Sequence, residues 1–199
     1  MPLRSATRAS TGLLLAALSL GAGEARAEPQ GTAGITLGLA GAGLDRQLWD
    51  KTLFHLGVRG DVLFGREKGT DFGIGPYAEI LTHGFDQIQL GTGVSGLIPV
   101  IDPFPLVLSA GVYGRRGRDG FGFEPGVTGQ LFWGSRSYNF HGSYVMAVGL
   151  LGEARVGLGP SRETSFVLSA QLDVVALSLP IVFLANAIRG GSSEVAPVR

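Results

Sequence analysis

The chain has 199 residues, no cysteine, and 16 Lys+Arg against 16 Asp+Glu. That length suits one domain of ordinary size. The lack of cysteine excludes disulfides and thiolate chemistry, and the balanced charge removes the electrostatic case for a nucleic-acid partner. Glycine is the outlier, at 33 residues with no G-X-Y period, well above the usual ~7%.

The first 27 residues read as an export signal. Arg4 and Arg8 make a basic n-region, Gly12 to Ala22 an apolar h-region, and Ala25-Arg26-Ala27 a small-x-small cleavage site before Glu28. The apolar run is shorter than the ~20 residues a spanning helix needs. A cleaved signal peptide over 1–27 is therefore expected, with the folded domain beginning at 28.

From there the chain alternates with a period of two, the signature of β-strands. Strand 1 is expected over Gly34 to Gly43, with Ile35, Leu37 and Leu39 opposite Thr36, Gly38 and Ala40. Strand 2, Phe54 to Gly65, is the clearest: Phe54, Leu56, Val58, Val62 and Phe64 lie opposite His55, Gly57, Arg59, Asp61 and Leu63. Strand 3 is expected over Asp71 to Thr82, with Pro76 weakening it. Strand 4 covers Gln87 to Leu97, strand 5 Leu106 to Arg115, and strand 6 Phe121 to Gly134. Strand 7 is a long one, Tyr138 to Leu158, and strand 8 runs Ser165 to Leu177 until Pro180 stops it. No amphipathic helix is expected, and residues 180–199 read as a tail.

An even number of evenly spaced strands can close into an up-and-down barrel and so remove its edges. The fold class is therefore all-β, an eight-stranded antiparallel barrel over 28–179. The alternation suits either a soluble lipocalin-like barrel, apolar inside, or a membrane barrel with its faces reversed. The polar face decides between them. It is rich in glycine (Gly57, Gly73, Gly75, Gly91, Gly93, Gly111, Gly122, Gly126) with few charges. Glycine weakens a strand but leaves room in the narrow interior of eight strands. The apolar face is nearly free of ionisable groups, as lipid requires. Aromatic residues also fall into two rims, Phe64, Phe72, Phe104, Trp133, Tyr138 and Phe140 at one end and Trp49, Phe54, Phe85, Phe121, Phe123 and Phe166 at the other.

In signal, glycine-rich alternation and aromatic rims the chain resembles the small eight-stranded outer-membrane barrels of Gram-negative bacteria, of the OmpA and OmpX type. The resemblance covers the whole chain after the signal but rests on pattern alone. It implies an outer-membrane location, a structural or surface-binding role and no open pore. The implied partners are outer-membrane lipid, lipopolysaccharide and the barrel-insertion machinery. The chain departs from the pattern at its end, since such barrels close on a strand with a terminal aromatic residue and this one continues to Arg199.

The inward set carries His55, Arg59, Asp61, Glu79, Glu124, Glu153, Arg155 and Asp173, together with His141, and reads as a polar network filling the lumen. Arg115, Arg116 and Arg118 read as a basic loop able to meet lipopolysaccharide phosphates. His141, Ser143 and Glu153 resemble the histidine, serine and acid of outer-membrane lipid A deacylases. That gives a hydrolase as the alternative, with the histidine deprotonating the serine and the glutamate orienting the histidine. Parity puts these residues on the lumen face, and twelve residues of strand separate His141 from Glu153 by roughly 40 Å. Gly91 to Gly96 matches GxGxxG without the following helix that a dinucleotide needs. His83 is a lone turn histidine, and no spacing suggests a metal or other cofactor.

Overall fold

The computed structural model describes residues 28–116, 122–136 and 143–190. The proposed signal peptide, along with Arg118, Phe121, Tyr138, Phe140 and His141, lies outside them. Eight strands form one closed antiparallel barrel in sequence order: β1 (Gln30–Gly43), β2 (Lys51–Leu63), β3 (Gly73–His83), β4 (Gln87–Ile101), β5 (Phe104–Arg116), β6 (Phe123–Arg136), β7 (Ala147–Gly157) and β8 (Thr164–Asp173). Closure is completed by β1 on β8, from Gly34 opposite Asp173 to Gly43 opposite Thr164. Every strand is therefore paired on both sides, which disposes of the edge problem.

The two faces separate as the period of two requires. Leu37, Val58, Ile80, Leu90, Val112, Leu131, Leu150 and Leu168, one from each strand, all stand exposed on the outside. The intervening side chains are buried inside: Val58 is 47% exposed and its neighbour Arg59 2%. Pro76 sits on the outer face of β3, paired with Val94. The described aromatics of the two rims are exposed at opposite ends of the barrel, Phe64, Phe72, Phe104 and Trp133 at one and Trp49, Phe54, Phe85, Phe123 and Phe166 at the other. At the second rim Phe54 stacks on Phe85 with ring centroids 5.7 Å apart.

Inward glycines make room for large neighbours. A Cβ on Gly93 would stand 2.7 Å from the Tyr77 ring and one on Gly126 2.3 Å from the Tyr113 ring. Those tyrosines in turn carry Arg59 (4.2 Å from the Tyr77 centroid) and Arg155 (5.2 Å from that of Tyr113) on their faces. Toward the end where β1 begins, Leu63, Leu97, Val107, Phe132, Ala147 and Leu151 pack into an apolar layer inside the barrel.

Two expectations are corrected at the end of the chain. β7 begins at Ala147, not at Tyr138, and β8 ends at Asp173, where a helix, α1 (Val174–Gly190), replaces the last expected strand residues and the described part, 180–190, of the expected tail. The switch has a local cause. Asp173 Oδ1 accepts hydrogen bonds from the backbone N–H groups of Val175 (2.8 Å) and Ala176 (3.3 Å), an N-cap that satisfies donors with no partner inside the helix. Because β8 stops opposite Gly34, the start of β1 is left without a neighbour on that side. Residues 143–145 take the place of β8: Gly31 N–H donates to Ser143 O (2.7 Å), and Val145 N–H donates to Gly31 O (2.9 Å). The alternation of residues 143–146, which on paper extends β7 backward, belongs to this covering segment.

Candidate functional site

The chemistry of this barrel is concentrated in its interior, where the described residues arrange buried polar groups in three tiers. The middle tier centres on Glu79. Arg59 on β2 ion-pairs with Glu79 at 3.4 Å, reaches across to Gln130 on β6, and donates to Ser95 Oγ (3.1 Å) and Ser109 Oγ (2.8 Å) on β4 and β5. Arg155 on β7 pairs with Glu79 and with Glu153, and its Nη1 donates to Gln89 Oε1 at 3.2 Å. Two arginines and two carboxylates thus neutralise one another across the lumen, and strands far apart in the sheet order are tied together through side chains.

The tier nearer the aromatic end with Trp49 is built on Arg115, which pairs with Glu124 and Glu163 and donates to Gln87 Oε1 (3.0 Å) and Ser161 Oγ. Ser161 donates to Glu124 in turn. Among the described residues this tier sets one arginine between two carboxylates. At the opposite end Arg136 pairs with Asp61 at 2.6 Å and donates to Thr32 Oγ1, and Arg66 donates to Gln30 Oε1 at 3.2 Å. Asp173 uses its second oxygen there, accepting from the Tyr144 hydroxyl (2.9 Å) and the Ala147 N–H (3.1 Å).

His55, Arg59, Asp61, Glu79, Glu124, Glu153, Arg155 and Asp173 are all buried, and hydrogen bonds across the lumen bring Arg59, Glu79, Glu153 and Arg155 into one cluster. Asp173 stands apart from it, as the helix cap. The sequence puts Gln87, Gln89 and Gln130 on the inward face without giving them a part in the network, and Arg136 and Glu163 read as turn residues; all five carry cross-links. The sequence also misplaces two residues. Arg115 does not belong to a solvated basic loop: it is 4% exposed, because β5 runs one residue past it and turns its side chain inward, whereas Arg116 is exposed. His83 is not a turn residue but the last residue of β3, fully buried with its ring centroid 5.4 Å from that of His55.

The histidines have a defined arrangement. Arg115 and Arg155 hold the Oε1 atoms of Gln87 and Gln89, so the amide groups of both present N–H to His83 Nδ1, at 3.1 and 3.3 Å. In the neutral ring Nδ1 is then the acceptor and Nε2 carries the proton. His55 Nε2 lies 2.9 Å from Thr36 Oγ1. Among the described residues no group of three or more His, Asp or Glu is placed to hold a metal ion.

The alternative catalytic set is not assembled by the described residues. Both hydrogen bonds of the Glu153 carboxylate come from Arg155. Ser143 is exposed in the covering segment, where its carbonyl pairs with Gly31, and His141 lies outside the described residues. The interior has the opposite sense to a lipocalin-like barrel: it is mostly polar, with one apolar layer. The chain matches no protein-family model, no curated protein and no solved structure.

Proposed function

We propose that this chain is an outer-membrane β-barrel whose lumen is closed by its own side chains and whose role is structural or one of binding at the cell surface. One observation carries the reading: all eight strands expose aliphatic side chains outward, their buried polar and charged side chains point inward, and aromatic residues stand at both ends. In water such a surface would be a continuous apolar belt far beyond the few hundred Å² a soluble monomer tolerates. In a bilayer it is the required surface, and strands of 10 to 15 residues meet the ~9–11 that a tilted strand needs to cross.

The filled interior bears on transport. An eight-stranded barrel is just wide enough for side chains to fill it, and here the arginines and their carboxylates meet across the lumen while Phe132 and Leu151 sit in the apolar layer. A conducting pore is not part of the proposal. Buried ion pairs add little net stability over apolar packing. Their use here is to fix which strand faces which, because a slip of one residue would turn every charge toward lipid.

Cell fractionation with a gel-mobility comparison tests the reading. The protein is expected in the outer-membrane fraction, to require detergent for extraction, and to run at different positions boiled and unboiled. Recovery in the periplasm without detergent, with one mobility, overturns it. The lipid A deacylase alternative has no observation in its favour among the described residues, since Ser143 and Glu153 are not joined.

A further inference from the structure

The helix α1 is apolar over nearly its whole length. VVALSLPIVFLANAIRG has no ionisable side chain before Arg189. Its start is fixed by the Asp173 cap at the end of β8, with no linker, so its first turn lies against the rim that carries Trp133 and Phe64. Val175, Ala176 and Ser178 are partly covered there. From Pro180 onward every described side chain is exposed, and Phe183, Leu184 and Ile188 are each more than 60% exposed.

We infer that α1 is a second lipid-contacting element, seated in lipid at the barrel end where β1 begins and β8 stops; the inference rests on the membrane reading above. Three observations select lipid as the occupant. The helix is apolar around most of its circumference: at about 100° per residue Leu177, Leu184 and Ile188 fall on one side and Phe183 about a third of a turn away, and Ser178 and Asn186 are its polar side chains before Arg189. A helix of that kind belongs in a protein core or in lipid, whereas a seam for a second copy leaves the outer side polar. Its apolar surface continues directly from the outward face of β8, with Leu168 and Val174 both exposed. Its length, about 25 Å at 1.5 Å per residue, falls short of the ~30 Å core, and no described helix is long and apolar enough to cross. A helix too short to cross and without a charged face is therefore placed among acyl chains beside the rim it starts from.

Tryptophan quenching by lipids brominated at known depths tests this in reconstituted vesicles, because the only tryptophans are Trp49 and Trp133. One protein carries Trp49→Phe and reports the barrel through Trp133. A second carries Trp49→Phe, Trp133→Phe and Phe183→Trp and reports the helix, with folding of both verified by the heat-dependent gel shift. The expectation is that each is quenched by brominated lipid to about half its emission or less, as contact with acyl chains requires, and that the helix reporter resists aqueous acrylamide. If Trp133 is quenched while the Phe183→Trp reporter is not and acrylamide reaches it, the helix inference falls and the barrel reading stands. If neither is quenched, both fall. A Leu184→Cys variant of this cysteine-free chain supplies the remaining arm. Rapid disulfide formation between copies at high lipid dilution would mean that a second molecule covers the helix, and would overturn the inference.

Discussion

Removing the Arg155 guanidinium while leaving its partners tests whether the tiers inside the barrel are coupled ion pairs or mere filler. Arg155 and Glu153 are at most 1% exposed, and among the described residues Glu153 receives its hydrogen bonds from Arg155. Opposite charges about 3 Å apart attract by about 5 kcal/mol at an effective dielectric constant near 20. Breaking a buried pair by deleting one partner costs ~3–5 kcal/mol, because the survivor is left charged and desolvated. Arg155→Met is therefore expected to lower stability by ~3–5 kcal/mol, roughly a hundred- to several-thousand-fold in the ratio of folded to unfolded protein. Glu79 keeps Arg59 and Gln130 in that variant, so the stranded charge is on Glu153. Adding Glu153→Gln removes it, and the double variant should recover about half of the loss or more. Urea unfolding in lipid vesicles, followed by the emission of Trp49 and Trp133, measures both. An Arg155→Met protein within ~0.5 kcal/mol of the parent, or a double variant no more stable than the single, would refute the coupling.

Three further outcomes follow from the outer face, the inner glycines and the helix cap. Val94→Arg, at the middle of β4 on the outer face, should cost ~2–4 kcal/mol for folding into a bilayer, read as the folded fraction in vesicles of one lipid; a soluble barrel would tolerate it. Gly93→Ala sets a Cβ 2.2 Å from Ala110 O and 2.7 Å from the Tyr77 ring, whereas Gly96→Ala meets nothing nearer than 4.0 Å. The first should destabilise by ~1–3 kcal/mol and the second leave stability unchanged, in paired urea titrations. Asp173→Ala removes the helix cap together with the Tyr144 and Ala147 contacts. It should cost more than the ~0.5–2 kcal/mol of a cap alone, and amide exchange should speed up in both α1 and the 143–146 segment.

The chain by itself determined the strands and their faces. Alternation in segments such as FHLGVRGDVLFG assigns every residue to one side, and a closed sheet leaves each side a single environment, so Arg59 goes inward and Val58 outward without any knowledge of distant partners. It did not determine where strands end, because parity continues past the last hydrogen bond by chance. Residues 143–146 looked like part of β7 for that reason, whereas Arg115 and His83 looked like turn residues because the adjoining RRGRDG and HGFD runs hide the end of the ladder. Nor did it show the helix: an apolar run such as VVALSLPIVFLAN has neither a period of two nor a polar stripe, and only the Asp173 side chain turning back on its own backbone selects α over β. Which charges meet was decided by tertiary structure alone. Barrel closure brings Glu79 on β3 to Arg155 on β7, 76 residues apart, and the pairing depends on strand stagger and on glycines opposite tyrosines. Those are properties of the whole sheet and of no single strand.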